Sequence, residues 1–168
     1  MHSWGITDEL DLSKGRTPRL RLLCSLLTAV ALVPLLPAGT AASEEGNVVL
    51  LLGTINAARA ARHERTLRLD GRLCWIAWEH AVDMIEHHYF AHFTPDGRSP
   101  FDRMREKHYR FGYAGENLAL DVDARAAAEA LWNSKEHRSN LLEPHYAHVG
   151  IAAVPVDGEV VIVEDFSD

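Results

Sequence analysis

The chain contains 168 residues, 47% of them hydrophobic, and carries a formal net charge of −7 at pH 7. Its length predicts one globular domain, and the lack of any long basic block argues against nucleic acid as a partner. Of its two cysteines, Cys24 lies in the N-terminal segment, which leaves Cys74 without an internal disulfide partner. We therefore expect a hydrophobic core to hold the domain, with Cys74 as a small buried residue.

Residues 1–42 are predicted to be an N-terminal extension and a secretory signal peptide, followed by one domain over 43–168. Basic residues at positions 16, 19 and 21 precede an apolar run over 22–36, and small residues continue to Ala42. This order is typical of a cleaved signal, and an apolar run of about 15 residues is short for a membrane-spanning helix, which needs roughly 20. We expect a secreted protein, extracellular or periplasmic. An uncleaved segment would instead anchor the chain to a membrane.

Two helices are predicted in the first half of the chain. Apolar residues recur at helical spacing from Asn47 to about Arg65. Asp70 is suited to cap a second helix, because its carboxylate can accept from the first free backbone N–H groups. The apolar stripe of this second helix is wide, and we expect the helix to end near Tyr89 or Phe90.

A short helix is predicted after the “TPDG” turn at 94–97. Ser99 is the predicted N-cap, Pro100 the first helical residue and Asp102 the capping-box partner, and the helix should run to about Lys107.

A longer helix is predicted from Asp123 until Pro144 stops it, after which the chain changes to β-branched runs. The dipeptide Asp157–Gly158 between two such runs is a strong hairpin signal. Helices followed by a small antiparallel sheet predict a layered α+β fold.

Short motifs give no active site on their own. His88 and His92 are four residues apart, which suits one helical face, but the glutamate of the “HExxH” zinc-peptidase motif is missing. Ser134 lies three residues before His137, yet the chain has no “GxSxG” element that would expose a nucleophilic serine. Cys74 lies within an apolar stripe and is not placed as a nucleophile.

Glu116 is more informative, because it precedes apolar residues and so brings a carboxylate into a partly buried stretch. A buried carboxylate needs a partner or becomes neutral, and His92 and His137 are available partners. Two interpretations follow: a local structural pair, or a carboxylate that orients an imidazole facing a cleft, as carboxylates do for metal-binding histidines.

Five segments, in their order and spacing, resemble the bacterial branch of the CAP superfamily, which comprises cysteine-rich secretory proteins, antigen 5 and pathogenesis-related proteins. The similarity covers about Asn47 to Phe166 and is carried by “INAARAARH”, “HAVDMIEHHYFAHFTPDGRSPFDRM”, “GENLA”, “LWNSKEHRSNLLEPHYAHVGIA” and “VVIVEDF”. The resemblance implies an α–β–α sandwich with a small antiparallel sheet. It also implies a central cleft where two histidines and acidic residues meet.

By that resemblance the cleft positions are His92, Glu116, His137 and Ser134, the last of which stands where many eukaryotic relatives have a glutamate. Loss of this second carboxylate argues against general acid–base hydrolysis. It leaves His92 and His137 able to hold a divalent metal ion such as zinc, with water completing the metal's shell.

We therefore expect a secreted, non-enzymatic module that binds an extracellular lipid, glycan or protein in this cleft. The alternative is a peptidase-like hydrolase that acts on an extracellular or cell-envelope substrate with Glu116 and the two cleft histidines. A third possibility is that the His–Glu pairs are purely structural.

Other polar residues near these motifs are assigned structural roles. Asn117 and Asn140 are expected to tie backbone near the cleft by side-chain hydrogen bonds. Four further histidines are expected to lie on the second helix or at strand entry, without a site role: His87, His88, His145 and His148.

Overall fold

The computed structural model describes residues 39–168, and it describes side chains from residue 44 onward. The apolar run predicted as part of a signal peptide, 22–36, lies outside this range. The elements in chain order are α1 (Gly39–Ala60), β1 (Arg68–Leu69), α2 (Gly71–Glu86), α3 (Pro100–Glu106), β2 (Ala114–Asp121), α4 (Ala124–Asn133), α5 (Lys135–Leu141), β3 (His148–Val156) and β4 (Glu159–Ser167).

A four-stranded sheet in the order β1-β3-β4-β2 forms the middle layer. Strand β4 pairs antiparallel with both β2 and β3, while the two-residue strand β1 pairs parallel with β3. Because successive side chains of a strand point to opposite faces, β4 supplies both layers of core. Ile162 packs with α1, α4 and α5 on one face, and Val161 and Val163 pack with α2 on the other. This arrangement confirms the predicted α+β fold.

The predicted hairpin is confirmed, but the order of elements is not helices first and sheet last. Strands β1 and β2 come from between the helices. The chain reverses between β3 and β4 at Asp157 and Gly158, which have φ angles of 46° and 86°, the left-handed values that a type I′ turn requires at both central positions.

The predicted caps of α2 and α3 are confirmed. The Asp70 carboxylate accepts from Arg72 N at 2.8 Å and from Leu73 N at 3.1 Å. Ser99 and Asp102 form a reciprocal capping box at the start of α3. The Ser99–Asp102 cap fixes one end of the segment that carries His92, since this segment runs from the end of α2 to the start of α3.

Helix α2 ends at Glu86, before the predicted end, because His88 adopts a left-handed conformation with φ 56°. The backbone N–H groups of His88 and Tyr89 bond back to Ile85 O and Met84 O, which is the Schellman pattern. Helix α3 ends in the same way, with His108 at φ 55°. The two ends share the pattern Met-x-Glu-(His/Lys)-His-Tyr, “MIEHHY” and “MREKHY”, which the sequence analysis missed.

The prediction of one long helix from Asp123 to Pro144 is wrong, because the helix is interrupted at Ser134. This residue is extended, with φ −74° and ψ 129°, and ends α4 while capping α5. Helix α1 also differs from its prediction: it begins at Gly39 and ends at Ala60 rather than spanning 47–65. Cys74 is a free thiol that is half-buried rather than fully buried.

Arg59 fixes the position of α5 from the far end of α1. Its side chain is fully buried, and its guanidinium donates to Leu141 O and Glu143 O, each at 3.0 Å, and to Arg65 O at 2.7 Å. A buried guanidinium needs such acceptors for its five N–H groups. Within residues 39–168, no helix combines the length and the apolar character needed to cross a membrane.

Candidate functional site

His92 and Glu116 form a close pair that links the surface to the interior. His92 Nδ1 lies 2.7 Å from Glu116 Oε1, and the two side chains are 22% and 1% exposed. An ionised carboxylate only accepts hydrogen bonds, so Nδ1 of His92 carries the hydrogen. In the neutral ring its other nitrogen, Nε2, is the acceptor atom.

Arg103 holds both members of this pair from α3. Its Nη1 donates to His92 O at 2.8 Å, and its Nη2 donates to the second carboxylate oxygen of Glu116. Burial by itself would raise the pKa of Glu116, but the charge of Arg103 and the hydrogen bond from His92 outweigh it and lower that pKa. Glu116 is therefore a fully buried, ionised carboxylate with donors on both oxygens.

His80 of α2 supports the same segment from beneath. It is 1% exposed, and its Nε2 donates to Ala91 O at 3.0 Å, one residue before His92. Burial lowers the pKa of His80 to about 4, against the charge of Glu116, whose Oε2 lies 4.0 Å from His80 Nε2. His80 is therefore neutral at pH 7, and it positions the backbone of the His92 segment.

His137 approaches from the opposite side of the sheet, in the first turn of α5. Burial, followed by the charge of His92, lowers the pKa of His137. Asn117 Nδ2 donates to His137 O at 3.2 Å and to Glu164 Oε2 at 3.1 Å. Asn140 Nδ2 donates to Asn117 Oδ1 and to Glu116 O. The two asparagines thus tie backbone near the cleft as predicted.

Ser134 lies beside His137, and its hydroxyl forms the cap of α5. Ser134 Oγ accepts from His137 N at 3.4 Å and donates to Glu136 Oε2 at 3.3 Å. The serine therefore contacts the backbone of His137 and a neighbouring carboxylate. In this arrangement the hydroxyl caps helix α5.

The remaining histidines make local contacts. His87 Nδ1 lies 3.0 Å from the Asp83 carboxylate on the surface of α2. His145 pairs with Glu143 and stacks on Tyr113, with ring centroids 4.0 Å apart, and the Nδ1 atom of the half-buried His148 lies 3.1 Å from Asp168 O.

Four buried polar residues of the site region were not predicted from the sequence: His80, Arg103, Glu164 and Asp165. A detectable signal existed for the two acids, because they end a strand whose other residues are almost all apolar, “VVIVEDF”. Charged residues in a strand that is covered on both faces need buried partners. His80 lies in the apolar stripe of α2, where the sequence pattern indicates an ordinary core position.

His92 and His137 are the two imidazoles that the sequence predicts as metal ligands. Within the described part of the chain, no group of three or more histidine, cysteine, aspartate or glutamate side chains could hold a metal ion. A divalent cation at His92 and His137 would need further ligands from water or from a bound molecule.

Residues 52–166 match the cysteine-rich secretory protein family, CAP. The chain belongs to this family. It is 37% identical over 102 residues to the uncharacterized membrane protein YlbC of Bacillus subtilis, covering 60% of this chain and 30% of YlbC. It is 34% identical over 100 residues to the uncharacterized protein YkwD of the same organism, covering 59% of this chain and 39% of YkwD.

Solved structures show the same fold. An extracellular protein with an SCP domain from Bacillus anthracis superposes with a TM-score of 0.71 at 29% identity, over 80% of this chain and 44% of that chain. An outer surface protein from Borrelia burgdorferi gives a TM-score of 0.69 at 22% identity, over 74% of this chain and 93% of that chain. The chain spans less than half the length of the curated relatives it matches.

Proposed function

We propose that this CAP-domain chain is exported and binds a ligand in the cleft between His92 and His137 without a hydrolytic step. Structural neighbours that are extracellular or outer-surface proteins support export, as does the signal-like order of the first 42 residues. The residues around Glu116 support binding over hydrolysis.

The observation that carries this proposal is that both oxygens of the Glu116 carboxylate accept hydrogen bonds from the protein. One oxygen accepts from His92 Nδ1, and the other accepts from Arg103. A general acid or base must reach the proton of a substrate with an oxygen of its own, whereas Glu116 is buried and holds His92. The hydroxyl of Ser134 is likewise used at the start of α5. The cleft therefore offers fixed imidazoles rather than an activated nucleophile.

The protonation of these imidazoles indicates the chemistry of the ligand. His92 is held with its Nδ1 hydrogen on Glu116, so its Nε2 atom is an acceptor. Burial lowers the pKa of His137, which makes it neutral at pH 7. Imidazole nitrogens that accept hydrogen bonds suit the hydroxyl groups of a glycan, and the −7 charge of the chain disfavours an anionic ligand.

A divalent cation such as zinc is the second candidate occupant. The His92–Glu116 pair has the form in which a carboxylate orients a metal-binding histidine and strengthens its free nitrogen as a ligand. His92 and His137 would hold the ion, which would attract further oxygen ligands.

Zinc titration of the purified chain by calorimetry tests the two-histidine arrangement. We expect saturable one-to-one binding that is lost in both His92→Ala and His137→Ala, because each removes one of the two imidazoles. His145→Ala is the matched control, since His145 is paired with Glu143 on the surface. Binding that survives both cleft substitutions would remove zinc as an occupant of this cleft.

Glycan-array binding compared with hydrolysis separates the two function classes. We expect His92→Ala to lose binding of any neutral glycan that the wild-type chain retains. We also expect wild type and His137→Ala to show equal background rates on a panel of esters and peptides. Turnover by wild type that disappears in His137→Ala would support the hydrolase instead.

Export is tested by N-terminal sequencing of the protein recovered from culture medium. We expect a mature start near residue 43, after the small residues that end at Ala42. Retention of the full chain in the membrane fraction would favour the anchored form.

A further inference from the structure

A second carboxyl group lies beneath the His92–Glu116 pair. Asp165 of β4 is the direct cross-strand partner of Glu116 in β2, so the two side chains lie on the same face of the sheet. Asp165 is 0% exposed. Within the described residues, neither of its carboxyl oxygens lies at hydrogen-bond distance from a donor. An ionised carboxylate in such surroundings would be strongly destabilised.

The groups around Asp165 supply one positive charge for two carboxyls. Glu116 faces it from β2 and Arg103 from α3, whereas its partner on β3 is Gly150, which has no side chain. Helix α2 contributes His80, which is neutral, and the thiol of Cys74, whose pKa is raised by burial. Two buried anions beside a single cation repel each other, so one of the two carboxyls takes up a proton.

The hydrogen bonds identify which carboxyl is neutral. Glu116 accepts from two donors, one on each oxygen, which is the arrangement that an ionised carboxylate prefers. Arg103 uses Nη1 on His92 O and Nη2 on Glu116. Asp165 has no comparable donor, and a proton on its carboxyl would instead supply a donor that can face Glu116.

We propose that Asp165 is a positioning residue of the cleft that remains protonated at neutral pH and supports Glu116 from the interior. In this way the site retains a second carboxyl group although Ser134 occupies the fourth cleft position. Burial and then the charge of Glu116 raise the pKa of Asp165 well above its usual range, in agreement with the geometry. The effect on His92 rests on the proposed function, whereas the protonation of Asp165 does not.

The neutral state of Asp165 matters because Glu116 and Asp165 both lie near the Arg103 guanidinium. If Asp165 ionised, it would compete with Glu116 for the Arg103 guanidinium, and the restraint on His92 would weaken. A neutral Asp165 therefore leaves the charge of Arg103 to Glu116 and keeps the Nδ1 hydrogen of His92 in place.

Infrared spectroscopy of the full chain at pH 7 tests the protonation directly. The comparison is made in a Glu164→Gln background, because Glu164 is a second buried acid. We expect the carbonyl stretch of a protonated carboxyl in that background and its loss when Asp165→Asn is added. Absence of this band before the second substitution, or its persistence afterwards, would overturn the proposal.

Nitrogen chemical shifts of the His92 ring test the positioning role. Asp165→Asn keeps a donor that can face Glu116, so we expect the Nδ1–H form of His92 to persist. Asp165→Leu removes that donor, and we expect a mixture of His92 tautomers. Equal His92 shifts in the two variants would refute the positioning role; if Asp165→Leu does not fold, Asp165→Ala, which also lacks a donor, takes its place. Ligand binding enters neither readout, so a failure here is distinct from a failure of the proposed function.

Discussion

The two faces of the sheet hold the two cleft histidines by different chemistry. Glu116 and Asn117 are consecutive residues of β2, so their side chains point to opposite faces. Glu116 binds the ring of His92 on the face covered by α2 and α3, and Asn117 binds the backbone of His137 on the face covered by α1, α4 and α5. One face thus restrains an imidazole through a charged group, and the other restrains a helix through a neutral amide.

The neighbouring strand β4 also places a different side chain on each face of the sheet. Asp165 lies opposite Glu116, and Glu164 lies opposite Asn117. Each face also has one buried arginine: Arg103 binds a carboxylate, whereas Arg59 binds backbone carbonyls. A one-residue step along one strand pair is therefore enough to support His92 and His137 in two different ways.

The largest expected effect comes from removing the charge on the Glu116 face. Arg103→Met leaves Glu116 buried without its cation, and loss of one partner of a buried ion pair costs about 3–5 kcal/mol. Chemical denaturation should show this loss in the free energy of unfolding. Arg98→Met is the control, because Arg98 makes exposed ion pairs worth at most about 1 kcal/mol. A cost for Arg103→Met no larger than for Arg98→Met would contradict a charge-held face.

The pH dependence of stability should contain a contribution from Glu164 on the second face. Burial raises the pKa of Glu164 from 4.5 to about 7, so the folded state binds more protons than the unfolded state in this interval. Stability is therefore present below about pH 4.5 and is lost as the pH rises through about 7. Each pKa unit corresponds to about 1.4 kcal/mol, so the loss is on the order of 3 kcal/mol.

Thermal unfolding of Glu164→Gln at a series of pH values checks this expectation. The variant should show a shallower decline between about pH 4.5 and 7 than wild type. Glu116, whose pKa is lowered, contributes with the opposite sign: its stability is present above the ordinary carboxyl range and is lost on acidification. Identical pH profiles for wild type and Glu164→Gln would show that Glu164 is already ionised.

A smaller effect is expected from the amide on the second face. Asn117→Ala removes hydrogen bonds to His137 O, Glu164 and Asn140, and buried groups left without partners cost about 1–3 kcal/mol. NMR should show altered His137 signals and unchanged His92 signals. Perturbation of both rings to the same extent would mean that the two walls are not held separately.

The sequence predicted these supports unevenly. The caps, the hairpin and histidine as a partner of Glu116 depend on local residue patterns, and the structure shows all three. The roles of Arg103 and His80 depend on where α3 and α2 pack, and the break at Ser134 depends on an extended backbone in an otherwise helical pattern. Arg103 in a short helix and His80 in an apolar stripe give no local signal that both lie near Glu116. The reason is that Glu116 is on a strand distant in sequence.

The smallest expected effects are local and should be equal on the two faces. His63 follows α1 and His88 follows α2, and both are left-handed, with φ angles of 61° and 56°. A non-glycine residue in this conformation costs about 1 kcal/mol relative to glycine. His63→Gly and His88→Gly should therefore each raise the free energy of unfolding by up to about 1 kcal/mol. Chemical denaturation measures both, with the exposed His145→Gly, where no such strain is relieved, as control. A rise in the free energy of unfolding for His63→Gly together with a fall for His88→Gly would show that the His88 side chain also stabilises the His92 segment. The relief of the left-handed conformation is common to both variants and cannot explain such a difference.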